Sequence, residues 1–218
     1  MITVFIVVFT SLVSYLAFNN SNLMGKLVFC PLAIGRGGWY RFVTHSFVHA
    51  DWAHLIFNMF ALYLFGTEIE RVFVGTFGVL MGMILYVLLY LLGSVVSIIP
   101  TWLRERSNAN YRSLGASGGV SALVFAYILV YPMSFMGVMF IPVFLPSFLF
   151  GIIYVVASIY MEKKNAGNIN HMAHVSGAVF GIVYMVVVFG IFAGVNLFSW
   201  FAGNIQIDSI GDLIHFGY

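Results

Sequence analysis

Six long apolar runs separated by short polar breaks constrain this chain more than anything else in it. A helix needs about 20 apolar residues to cross the hydrocarbon core of a bilayer, with a range of roughly 17–25. Runs that meet or approach that length fall at Ile2–Phe18, Trp52–Phe65, Phe73–Ile99, Leu114–Tyr131, Phe140–Met161 and His171–Phe192. Only 7% of the 218 residues are charged, against roughly 25% in ordinary soluble domains, so a water-soluble core of this size would lack a solvated surface. The reading is an all-α, polytopic membrane protein with six transmembrane helices. The first run lacks a basic leading region and a small-residue cleavage site, and is read as a retained span.

Two segments do not fit a span. Residues 23–50 mix apolar side chains with Lys26, Arg36 and Arg41, as a partly helical, membrane-embedded first-loop insertion would. The tail 194–218 carries Asn204, Gln206, Asp208 and Asp212 among aromatics and reads as interfacial or disordered. No internal repeat points to the paired halves of many transporters. Cys30 is the only cysteine, which rules out an intrachain disulfide and a Cys-rich metal cage. No basic run points to nucleic acid.

Polar groups inside spans are costly, so each invites a functional explanation. The second span opens with His54 and Asn58, four residues apart and on one helical face. The fourth opens with Gly115-Ala116-Ser117-Gly118-Gly119, and the sixth with His171 and His174 ahead of Gly177 and Gly181. Spans two, four and six all begin on the same side of the membrane. At 1.5 Å per residue the three sites share a depth on the order of 5–10 Å below the boundary. Gly177 and Gly181 form a G-x-x-x-G face that lets a neighbouring helix approach closely in lipid. If the fourth span packs there through Gly118, Ala122 and Ala126, Ser117 comes within reach of His174, and a positioned histidine is what turns a serine hydroxyl into a nucleophile. The Ser117 N–H, His54 and Asn58 are candidate donors to a developing oxyanion.

These residues resemble the rhomboid family of intramembrane serine proteases. Gly115-Ala116-Ser117-Gly118 is similar to that family's G-x-S-G box, His54-Leu55-Ile56-Phe57-Asn58 to its H-x-x-x-N element, and the stretch Ala173 to Gly181 to its A-H-x-x-G-x-x-x-G element. Trp39-Tyr40-Arg41 resembles a Trp-Arg motif of the first loop with one residue inserted, and Gly66 to Glu70 the close of the second span. The resemblance covers about residues 1–192. It implies a six-helix protease domain over 1–193, with Ser117 as nucleophile, His174 as general base and acid, and His54 and Asn58 stabilising the oxyanion. It implies no third acidic residue, no cofactor and no metal ion. The partners it implies are single-span transmembrane substrates and the lipid bilayer, with the fifth span, carrying Pro142, Phe144, Pro146 and Phe148, as a side gate. The family often carries an aromatic four residues after the serine, stacked on the histidine; this chain has Ser121 there, with Tyr127 and Phe180 as the expected substitutes.

Other readings are a metal-binding membrane enzyme or transporter using His45, His49, His54, His171 and His174, and a non-catalytic binder of membrane proteins. No H-E-x-x-H helix motif favours the metal reading. For the same histidines the simpler roles are loop tethering by His45 and His49 and helix capping by His171; Glu70 reads as a structural tie. Eight of the nine basic residues (Lys26, Arg36, Arg41, Arg104, Arg106, Arg112, Lys163 and Lys164) fall on the odd-numbered loops, which the positive-inside rule places in the cytoplasm. The resemblance implies the opposite orientation, in the cell (inner) membrane with the site opening to the extracytoplasmic side, and that is the expected one, because the charges of a membrane-embedded first loop need not govern insertion.

Overall fold

The computed structural model describes residues 1–137, 141–164 and 170–216. Among these residues the chain is mostly helical, with α1 (Ile2–Phe18), α2 (Ser21–Leu27), α3 (Pro31–Ile34), α4 (Arg41–Thr44), α5 (Trp52–Phe77), α6 (Val79–Glu105), α7 (Ser117–Val130), α8 (Ser147–Lys163), α9 (His171–Ala193) and α10 (Leu197–Gly203). The expectation of an all-helical chain needs one correction. A small antiparallel sheet joins β1 (Phe135–Gly137), β2 (Val143–Pro146) and β3 (His215–Phe216), in that order. On length and composition, α6 and α9 are long and apolar enough to cross a membrane; α1 and α7 are shorter apolar helices.

Helix α7 sits at the centre, packed by α5, α6 and α9, with α8 against α7 and α9 and α1 against α5. Its sequence suits that place: nearly every residue from Gly118 to Leu129 is buried, and small side chains recur on the faces its neighbours approach. A Cβ on Gly177 of α9 would lie 2.2 Å from the Gly118 carbonyl oxygen, and one on Gly181 equally close to that of Ala122. Close backbone approach of this kind is how helices associate where the solvent is as apolar as the side chains. At the far end of the bundle from Ser117, the Glu70 carboxylate accepts hydrogen bonds from the Ile2 and Thr3 N–H groups and the Thr3 hydroxyl, satisfying first-turn donors of α1. Glu70 is thus a structural tie to α1, and Arg71 pairs with Glu68 instead.

Several boundaries differ from those read in the sequence. Helix α5 runs twelve residues past Phe65, to Phe77, and the expected third span loses its first turns to it. The break is Gly78, whose φ of +79° an L side chain rarely adopts. Pro100 does not close α6 but lies inside it. The turns beyond it are held by tertiary contacts: Thr101 is fully buried and bonded to Asn170, and Trp102 packs on Trp39 and Phe42 of the first loop. The expected start of the fifth span at Phe140 lies outside the described residues, and Pro142 and Pro146 fall before the helix, in and around β2. Helix α8 begins where α7 ended: Ser147 Oγ donates to the Tyr131 carbonyl and the Phe148 N–H to that of Pro132. Phe144, Pro146 and Phe148 therefore sit at the end of the bundle away from Ser117. So does α10, where Trp200 Nε1 donates to the Val130 carbonyl at 2.9 Å.

Candidate active site

The first loop builds the turn that presents Ser117. Phe29 and Ser113 exchange backbone hydrogen bonds, the Gly115 N–H donates to the His45 carbonyl at 2.9 Å, and the Ala116 N–H donates to His49 Nε2 at 3.3 Å. His49 is anchored in turn to α1 through Nδ1 and Ser14 Oγ, 2.9 Å apart. Arg41 staples the loop by donating to the Gly25 and Val28 carbonyls. Gly115 has a φ of +114°, and a Cβ there would strike the His54 imidazole 2.7 Å from Cε1, so the position requires glycine on two counts. The turn ends at Ser117, the first residue of α7 and half-buried. The first-turn N–H groups of a helix have no partner within it, and they carry the positive end of its dipole. A negative charge developing beside Ser117 meets both.

His174 stands on the first turn of α9, 57 residues further along the chain, with Nε2 2.9 Å from Ser117 Oγ. Two features seat it. The Gly177 and Gly181 contacts fix the depth of α9 against α7. Asn170 fixes its start: Oδ1 accepts from the Ala173 N–H, while Nδ2 donates to Thr101 and Ser113. The capping role expected of His171 belongs to Asn170, and an Asn just before an apolar run is a signal for it. His171 is buried beside His174, ring centroids 5.8 Å apart, and neither ring nitrogen has a hydrogen-bond partner among the described residues.

Helix α5 brings His54 to the other side of the turn, its imidazole against Gly115. Asp51 caps that helix by accepting from the His54 N–H at 2.8 Å. Asn58, one turn deeper, uses one of its two side-chain N–H groups on the His54 carbonyl at 2.9 Å, leaving the other. The two first-loop histidines are tied to the protein. His45 Nδ1 lies 3.0 Å from the Arg41 carbonyl, and burial lowers its pKa to about 4. Burial, then repulsion from His54, lowers that of His49 to about 3. Among the described residues no three His, Cys, Asp or Glu side chains are grouped as a metal ion would need.

An aromatic ring does stack on His174, and it is neither of the two anticipated. Tyr127 packs on Phe65 and Tyr131, and Phe180 on Tyr184. The ring is Tyr154 of α8, its centroid 6.1 Å from that of His174 with the planes 22° apart. Its hydroxyl is 2.8 Å from Ser121 Oγ, the side chain that replaces the expected aromatic on α7.

Compared with known proteins, residues 36–211 match the family model described as Rhomboid domain. The chain is 29% identical over 174 residues to RHOMBOID-like protein 12, mitochondrial, of Arabidopsis thaliana, covering 76% of this chain and 51% of that protein. It is 33% identical over 157 residues to Rhomboid-like protein 11, chloroplastic, of the same plant, covering 66% and 51%. Rhomboid protease GluP of Bacillus subtilis (strain 168) matches over 97 residues at 31% identity, covering 44% of this chain and 17% of the protease. The chain thus spans about half the length of the first two relatives.

Proposed function

The chain belongs to the rhomboid family, whose members are integral to membranes, and on that premise we propose that it is an intramembrane serine endopeptidase working through Ser117 and His174. The observation that carries the reading is the 2.9 Å contact between Ser117 Oγ and His174 Nε2. In this reading Ser117 Oγ attacks the scissile carbonyl carbon while His174 Nε2 takes its proton. The oxyanion is held by the Ser117 N–H and by the side chains of His54 and Asn58. The C–N bond then breaks as His174 returns the proton to the leaving amine. Water, deprotonated by the same imidazole, cleaves the acyl-enzyme and restores the hydroxyl. Helices α1, α5, α6, α7, α8 and α9 are the six spans of this reading. The 14 residues of α7 reach only about 21 Å against a hydrocarbon core of about 30 Å, which sinks Ser117 below the membrane surface. The substrates are single-span membrane proteins cut near that surface, and the site opens to the extracytoplasmic side of the cell membrane.

The test is cleavage of a model single-span substrate by the purified chain in liposomes. Cleavage is expected to persist in chelator and to fall on the order of 10⁴-fold or more in Ser117→Ala. Equal cleavage by Ser117→Ala, or loss in chelator with recovery in zinc, would overturn the proposal.

A further inference from the structure

Resting on the reading just given, we propose that Tyr154 of α8 is a positioning residue that orients the His174 imidazole for Ser117. His174 Nε2 is committed to Ser117, and among the described residues no carboxylate or carbonyl bonds its Nδ1, so hydrogen bonding does not fix the plane of the ring. Packing must do so. Tyr154 lies nearly parallel to that ring on one side, and the edge of His171 meets it at 83° on another. Tyr154 is held in its own orientation from α7: its hydroxyl bonds Ser121, and its ring leans on Phe125 at 5.8 Å. Ser117, Ser121 and Phe125 are spaced four apart, so one face of α7 carries the nucleophile and both supports of the ring that steadies its base.

Of the six long helices, the one that carries the ring has the fewest buried residues. Only Ser147, Gly151 and Ser158 of α8 are fully buried, and Tyr154 stands on the same stripe between Gly151 and Ser158. The opposite side, with Ile152, Val156 and Tyr160, is exposed. The stack therefore exists only while α8 is seated against α7 and α9. An excursion of α8 away from α7 takes the ring from His174 and leaves the Ser117–His174 pair without its orienting neighbour.

The experiment measures kcat and KM for single-span substrate cleavage, and the rate at which a fluorophosphonate labels Ser117, in the full chain in liposomes. Both are normalised to folded protein from a thermal melt. Misplacing a catalytic group by about 1 Å can cost on the order of a hundredfold, so Tyr154→Leu is expected to lower kcat and the labelling rate by about tenfold or more, with KM within about threefold. Tyr154→Phe keeps the ring and should retain kcat to within about threefold. Ser121→Phe combined with Tyr154→Leu returns a ring to the same space from α7 and is expected to recover most of the lost rate. Tyr154→Met, which fills the space without a ring plane, replaces the leucine variant if that does not fold. Wild-type kcat in the ringless variant, or a change confined to KM or to folded yield, would overturn the proposal. Absence of Ser117 labelling in the wild type would instead overturn the protease reading itself.

Discussion

Helices α9 and α8 both pack on α7 and are held there in different ways. Helix α9 touches α7 backbone to backbone: the glycines at 177 and 181 leave no room for a Cβ above the carbonyls of Gly118 and Ala122. Helix α8 touches α7 through side chains along one narrow stripe, and at Gly151 the nearest obstacle to a Cβ is Ile128 Cδ1, the mobile end of a side chain. His174 is thus mounted on the tightly packed side and Tyr154 on the loosely packed side. One small bundle can thus fix a Ser–His distance by backbone contact while packing another wall through side chains alone.

The largest effect that would break this comparison is at Gly177. Gly177→Ala forces α9 away from α7 and is expected to cost about 3 kcal/mol or more, at the upper end of overpacking penalties, with loss of cleavage. A thermal melt with activity reads both. Next is Gly115→Ala, which meets a positive φ and the His54 ring together; about 1–3 kcal/mol and a large fall in activity are expected. A wild-type rate there would show that the His54 side of the turn is not rigid.

The first loop belongs to the rigid half and should reveal itself by pH. Burial holds His45 and His49 neutral, with pKa values of about 4 and about 3 against an ordinary 6.5. The unfolded chain takes up those protons below pH 6.5 while the fold does not. Stability is therefore full above pH 6.5 and lost as pH falls from there toward 4, by about 1.4 kcal/mol per pH unit for each histidine. Melting temperatures across that range check the slope, and replacing His49 by Gln should shallow it. The smallest effect is Gly151→Ala on α8, under about 1 kcal/mol because a flexible side chain can give way. A cost there equal to that of Gly177→Ala would erase the distinction between the two helices.

What could be read in advance follows the same division. Ser117, His54 and His174 were legible because each opens an apolar run beside small residues, and helical periodicity carries that information locally. The G-x-x-x-G face of α9 marked where some helix would come close, and the small residues Gly118, Ala122 and Ala126 made α7 the candidate. The Tyr154 stack was not legible, because it depends on how far α8 is rotated and displaced against α7, and no local pattern specifies that. The nearest signal was the spacing of Ser147, Gly151 and Ser158, a small-residue stripe with a tyrosine in it. The support of Ala116 by His49 crosses 67 residues of chain and was equally hidden. Pro100 misled because its usual effect on a helix is local, whereas the contacts of Thr101 and Trp102 that hold the helix together beyond it are not.

The proposed chemistry depends on activation of the Ser117 hydroxyl by His174 across the α7–α9 contact. Its most direct test is intact-mass analysis of fluorophosphonate labelling in liposomes. A single adduct on Ser117 is expected in the wild type, with labelling slowed on the order of 10³-fold or more in His174→Ala and the fold unchanged. An adduct on another residue, or the same labelling rate without His174, would contradict it.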